Sequence, residues 1–231
     1  MNLYFLVEGK RTEPRIYPKW LKLLLPNFTK TERPFDLKNT NTNFKYFIFS
    51  GCGYPSLLNH IENSILDIND IGKFSYFIIC VDSEEVCPKK RKQEIIDHIE
   101  EKGLVLDNTE LVIIVQNICI ETWLLGNEKV FLSNPTDKTY SKEYIKKYNV
   151  QDNDPELMPS FSKEKNTAQY HLQYLKYMLI ERNMKYSKNN VQDVGCSDYL
   201  SALICRSTKT NHLKSFGEFY SLCEKIKRES I

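Results

Sequence analysis

Carboxylates far apart in this chain fall at the ends of short apolar runs. Glu8 closes the run Leu3–Val7, Asp82-Ser83-Glu84-Glu85 closes the run Phe74–Val81, and Leu111–Val115 continues through Gln116-Asn117 to Glu121. If these runs are parallel strands, their carboxyl ends share one edge of a sheet, the edge where open α/β sheets bind ligands. If Asp82 to Glu84 stays extended, the side chains of Asp82 and Glu84 point the same way, because strand side chains alternate. Hard oxygens gathered in this way repel one another without a cation. Mg²⁺ or Mn²⁺ is the natural companion, held by a few carboxylates plus water and phosphate oxygens. Solvated loops also place acids at strand ends for no chemical reason; it is their joint occurrence at three such ends that favours a site.

The elements that must position these residues alternate. Leu3–Val7 is too short for a helix and stops at Glu8-Gly9; a helix follows, with Thr12 able to cap it, Glu13 and Pro14 in its first turn, and Ile16, Trp20, Leu23 and Leu24 at helical spacing. Phe44–Phe49 reads as a second strand closed by Ser50-Gly51-Cys52-Gly53, and Leu57, Leu58, Ile61, Ile65 and Ile68 mark an amphipathic helix. The third strand, Phe74–Val81, does not alternate with polar residues, as expected of a strand covered on both faces. A basic linker, Lys89-Lys90-Arg91-Lys92, leads to a helix carrying Ile95, Ile96 and Ile99 and stopping near Gly103. Leu111–Val115 is the fourth strand, and Ile120–Leu125 reads as the helix after it. The pattern predicts an α/β fold with a four-stranded, mainly parallel sheet flanked by helices over residues 1–130.

Residues 131–231 read as a polar insertion and a helical C-terminal region packed on that core. The stretch 133–167 is rich in Lys, Asn, Asp and Ser, is broken by Pro135, Pro155 and Pro159, and has room for one short helix near Tyr144. Helices are expected over 168–183, 198–205 and 216–227, the first with Tyr170, Leu172, Leu175, Met178 and Leu179 on or near one face. The whole chain has 231 residues, 41% hydrophobic, with 17 Gly plus Pro, which excludes a disordered or collagen-like polymer. Its 32 basic and 30 acidic residues nearly cancel, so net charge alone announces no polyanionic partner. No apolar run approaches ~18 residues, the length a membrane span needs, and Met1–Glu8 lacks the basic start of a secretory signal. Seven scattered cysteines without a CxxC pair argue against structural zinc and disulfides and suit a reducing cytoplasm.

The stretch Leu6-Val7-Glu8-Gly9-Lys10-Arg11-Thr12-Glu13-Pro14, with Tyr17 shortly after, resembles the opening of a TOPRIM domain, most like the RloB-like, abortive-infection branch. Asp82-Ser83-Glu84 is similar to the D-x-D pair of that family, with D-x-E in its place, and Gly51-Cys52-Gly53 and Cys119-Ile120-Glu121-Thr122-Trp123-Leu124-Leu125 extend the likeness over residues 1–126. The resemblance implies a TOPRIM-like Rossmannoid core and metal-dependent phosphodiester chemistry. It implies Glu8 as general acid/base or metal ligand, Asp82 and Glu84 as ligands for Mg²⁺ or Mn²⁺, and Glu121, Glu13 and Gly9 in assisting positions. At this length an endonuclease, a hydrolase acting on DNA or RNA in antiviral defence, fits better than a topoisomerase or primase. A partner such as an ATPase or another defence-system protein would restrain or deliver it, and a homodimer would turn two nicks into a duplex break.

Basic residues would hold the polyanion: Lys10 and Arg11, the run Lys89, Lys90, Arg91 and Lys92, Lys142, Lys146 and Lys147, and Arg206, Lys209, His212 and Lys214. The run at 89–92 reads equally well as a solvated helix start. Gly9-Lys10-Arg11-Thr12 lacks the upstream glycine of a phosphate-binding loop, which counts against a nucleotide-binding regulator. Cys119 has no histidine near it in sequence and reads as a buried apolar residue, and Trp20 and Trp123 read as core. The rival to the nuclease is a non-catalytic TOPRIM-fold module that binds nucleic acid or protein, favoured by the D-x-E departure.

Overall fold

The structure, a computed structural model, describes residues 1–132, 134–136 and 140–230. The chain divides into two compact units, one of Met1–Val81, Pro88–Val115 and Leu222–Ile231, the other of Asp82–Cys87 and Gln116–Ser221. Neither unit is contiguous, whereas the sequence suggested a division near residue 130.

The first unit is built on a five-stranded, all-parallel sheet in the order β2-β3-β1-β4-β5. Its strands are β1 (Asn2–Val7), β2 (Thr29–Lys30), β3 (Lys45–Ser50), β4 (Tyr76–Asp82) and β5 (Glu110–Gln116). β1 is central and buried along its whole length, which is why its sequence is apolar without alternation. It pairs in parallel with β3, Val7 opposite Ser50, and with β4, Val7 opposite Cys80. The strand that the sequence did not predict is β2, only two residues long and exposed; it joins the edge of β3 through Thr29 N–H to Phe44 O (2.9 Å) and Thr31 N–H to Tyr46 O (2.9 Å). Two residues offer no period to detect.

Three helices cover this sheet: α1 (Glu13–Leu24), α2 (Ser56–Ile71) and α3 (Pro88–Glu101). In α1 the buried stripe runs through Ile16, Tyr17, Trp20, Leu21 and Leu24, and Leu23, expected on that face, is turned outward. Thr12 precedes α1 in helical conformation and makes no side-chain cap. The α2 stripe Leu57, Ile61, Ile65 and Ile68 matches its sequence period, and the helix ends where Gly72 takes φ 61° and donates to Ile68 O. The stripe packs with Tyr4, Leu6, Phe77, Ile79, Ile95, Ile113 and Val115 into one core. Each large side chain buried there contributes about 1.5–3 kcal/mol. Lys89–Lys92 is not a linker; it forms the first turn of α3.

The second unit is helical: α4 (Ile120–Leu124), α5 (Ser141–Lys147), α6 (Thr167–Glu181), α7 (Ser197–Lys209) and the first half of α8 (Lys214–Glu229). The expected short helix near Tyr144 is α5; of the polar stretch 133–167, residues 133 and 137–139 lie outside the described residues. Trp123 on α4 packs edge-on to Phe216 (5.5 Å) and stacks on Phe219 (6.0 Å), and its indole N–H donates to Ser215 Oγ (2.6 Å). Both tryptophans are wholly buried, as their sequence setting predicts. No helix among the described residues is long and apolar enough to cross a membrane.

Candidate functional site

In the sheet unit the chemistry-bearing segment is the turn after β1. Glu8 is nearly buried, and its backbone continues the sheet by donating from N to Cys80 O (3.0 Å). The turn after β3 closes over it: Gly53 N–H donates to Glu8 O (2.9 Å), and Tyr54 N–H donates to the carboxylate Oε1 (3.2 Å). Cys52 (φ 64°) and Gly53 (φ 97°) are both left-handed, a conformation that costs Gly53 nothing and lets Tyr54 N–H face the carboxylate. Gly9 donates from its N–H to Glu13 Oε1 (3.2 Å), and a Cβ there would stand 2.1 Å from Glu13 Oε2. Gly9 and Glu13 thus shape the turn that carries Glu8.

Tyr54 is clamped from beneath. The Arg91 guanidinium lies 3.8 Å from the centre of the Tyr54 ring, Arg91 Nη1 donates to Glu94 Oε2 (2.8 Å), and Tyr54 Oη donates to the same oxygen (3.1 Å). Arg91 is buried, so within the basic run it serves this clamp, and Lys89, Lys90 and Lys92 are exposed. Lys10 and Arg11 are exposed beside the first turn.

The remaining acidic candidates belong to the second unit. Asp82 is the last residue of β4 and is half-buried. The backbone then leaves the extended path: Ser83 N–H donates to Gln116 O (2.9 Å), Glu84 N–H donates to Ile118 O (2.9 Å), and Val86 N–H donates back to Ser83 O. Glu84 adopts φ 50° and is exposed, so the strand alternation that would align it with Asp82 does not reach it. Hydrogen bonding to the segment after β5, reinforced by Ile118 N–H to Ser83 Oγ (2.7 Å), draws the chain into this turn.

Glu85 has a structural task. Its carboxylate accepts from Thr167 N–H (2.6 Å) and Thr167 Oγ1–H (3.0 Å), at the start of α6, where negative charge also meets the positive end of the helix dipole. Glu85→Ala is expected to lower stability by about 1 kcal/mol. The loss should appear in denaturant unfolding and as faster hydrogen exchange in the first turn of α6; unchanged exchange there would refute this role.

Glu121 is buried on α4 and accepts from Tyr186 Oη–H at Oε1 (2.7 Å). Cys119 is buried, and burial pushes its thiol well above the ordinary range, with the charges of Glu121 and then Asp82 pushing it further. Such a thiol stays protonated and is no nucleophile. A histidine does stand nearby, although far off in sequence. His171 Nδ1 accepts from Thr122 Oγ1–H (2.8 Å), its Nε2–H donates to Met158 O (2.8 Å), and burial holds its pKa down at about 4. The neutral ring locks α4 in place through Thr122, whose Oγ1 also accepts from Cys119 N–H (3.3 Å).

Of the C-terminal basic set, Lys209 and Lys214 are exposed. Arg206 is buried among backbone carbonyls and donates to His212 Nδ1 (3.0 Å), so these two hold the fold together. Among the described residues no group of three or more His, Cys, Asp or Glu side chains is placed to hold a metal ion. Mg²⁺ needs no such cage, since it keeps several waters and takes one or two protein carboxylates. Asp82 and Glu121 are hard oxygen donors of the kind that chemistry uses. Tyr54, His171 and Tyr186 were not found by sequence reasoning, because each acts across a long loop with no local motif. No protein-family model matches this chain, and no curated protein or solved structure matches it either.

Proposed function

We propose that this protein is a divalent-metal-dependent endonuclease of TOPRIM type that hydrolyses phosphodiester bonds of DNA or RNA, an effector of antiviral (phage) defence. The observation that supports it most is the nearly buried Glu8 at the carboxyl end of the central strand, its carboxylate held by the Tyr54 amide (3.2 Å). In this reading Asp82 and Glu121 would hold Mg²⁺ or Mn²⁺, which when bound neutralises phosphate charge and activates water. Glu8, held by the Tyr54 amide, moves the proton. Lys10, Arg11, Lys89, Lys90 and Lys92 and the exposed Lys209 and Lys214 attract the polyanion. The setting is cytoplasmic, with an ATPase or other defence-system partner and a homodimer as the expected assembly.

A non-catalytic binding module is the second reading, favoured by the exposed, left-handed Glu84. Cleavage of plasmid, single-stranded DNA and tRNA during Mg²⁺ and Mn²⁺ titration separates the two. The nuclease reading expects metal-dependent cutting that Glu8→Gln lowers by roughly 10²–10⁴-fold with unchanged circular dichroism, as for loss of a general acid/base. Cutting that survives Glu8→Gln at full rate, or no metal-dependent cutting of any of these polymers, would overturn it.

A further inference from the structure

We propose that the outer face of α6 and the hollow at its C-terminal end bind single-stranded nucleic acid; this rests on the nucleic-acid reading above and specifies the form of the strand. α6 buries Tyr170, His171, Tyr174, Leu175, Met178 and Leu179, which leaves Lys176, Tyr177 and Ile180 outward. Just past the helix lies a cavity of about 250 Å³ lined by Lys176, Ile180, Met184, Lys185 and Tyr186. The lining combines two apolar side chains, Ile180 and Met184, with two lysines and an aromatic ring, and Ile180 is 49% exposed.

Neither Lys176 nor Lys185 makes a side-chain hydrogen bond or ion pair among the described residues. The nearby carboxylates are committed elsewhere. Glu181 accepts from Thr136 N–H (3.0 Å) and Oγ1–H (2.6 Å), and Asp193 accepts from the Lys185 backbone N–H (2.7 Å). The two amines are therefore available to phosphate. On the same stretch of α6, between Lys176 and Ile180 in sequence, Tyr177 meets Tyr140 (5.8 Å) and Tyr144 (5.4 Å), and Tyr140 is 63% exposed. An exposed ring such as that of Tyr140 can stack only bases whose faces are open, which a duplex hides and a single strand offers. The site also reaches the proposed chemistry, because Tyr186 in the cavity wall donates to Glu121.

The test is fluorescence anisotropy of the intact protein in EDTA, with labelled oligouridylate and oligothymidylate of about 12 nucleotides, within the span of known single-strand sites, and a duplex of the same length. Single strands should bind at least ~10-fold more tightly than duplex. The double variant Lys176→Gln, Lys185→Gln should weaken binding about 10-fold and reduce the salt dependence by about 1.4, two phosphate contacts' worth. Tyr177→Ala should weaken it about 5-fold or more through lost stacking, with circular dichroism unchanged in both variants. A preference for either sugar supports the proposal. Preference for duplex, absence of binding, or a double variant within twofold of the parent overturns it. EDTA keeps the two ideas apart: a protein that binds in this way and never cuts loses only the nuclease reading, and one that cuts while the double variant binds normally loses only this one.

Discussion

Arg206→Met should destabilise the helical unit by about 3–5 kcal/mol, the cost of removing a buried charge from partners that cannot follow it out. The guanidinium reaches Gly126 O through Nη1 (3.2 Å) and Val150 O and Asn153 O through Nη2 (2.7 and 2.9 Å), with His212 Nδ1 also within reach. Gly126 follows α4 and both Val150 and Asn153 follow α5, so one planar fork joins two loops distant in sequence. Methionine fills the volume and offers none of the donors. Lysine should recover only part of the loss, since its point-like ammonium cannot spread over the same acceptors. The partner Glu128 is half-exposed, so its charge remains solvated and adds little to the cost. Hydrogen exchange across 116–221 should report the change as loss of protection; a loss below about 1 kcal/mol would show that the fork is dispensable.

Glu156→Gln should unmask a pH dependence that the native protein conceals. Glu156 is buried, and burial raises its pKa to about 7 despite hydrogen bonds from Ser215 N and Oγ, with the like charge of Asp154 raising it further. Ser215 Oγ accepts from both Trp123 and Asn117, so its own proton must go to Glu156. Because the folded pKa lies above the unfolded value of 4.5, the stability from Glu156 is present at low pH and lost as pH rises toward 7. His171 in the same unit behaves oppositely. Its folded pKa of about 4 lies below the ordinary value of 6.5, so its stability is present above 6.5 and lost as pH falls. Between pH 4.5 and 6.5 each contributes a change of about 2 kcal/mol, with opposite signs. Native stability should therefore stay nearly level with respect to these groups, while Glu156→Gln should gain about 2 kcal/mol as pH rises across that interval. Denaturant unfolding at a series of pH values measures it, and parallel curves for the two proteins would refute it.

The sheet was legible because β1 and β4 are buried on both faces, and such strands write themselves as unbroken apolar runs. The period of α2 was equally plain. What escaped were positions decided by contacts distant in sequence. Nothing in Lys89–Lys92 separates Arg91 from its neighbours until the Tyr54 ring lies against it. Nothing in Asp82-Ser83-Glu84 announces that hydrogen bonds to Gln116 and Ile118 will bend the chain and give Glu84 a left-handed backbone. Leu23 sits at the margin of a stripe whose centre only the packed sheet defines. Among the candidate residues, Glu8, Gly9 and Glu13 form one connected turn, and Asp82 and Glu121 share an electrostatic neighbourhood.

The interleaving of the two units bears on how the molecule is made. Leu222–Ile231 returns to the sheet unit, where Lys225 pairs with Glu110 (2.9 Å) and Tyr76 donates to Glu229 (2.5 Å). These residues follow the helical unit along the chain, so the strands, which precede it, wait for them before their own unit is whole. During synthesis that surface stays open while the helical unit is made, and chains interrupted before Leu222 should be preferred clients of chaperones and proteases.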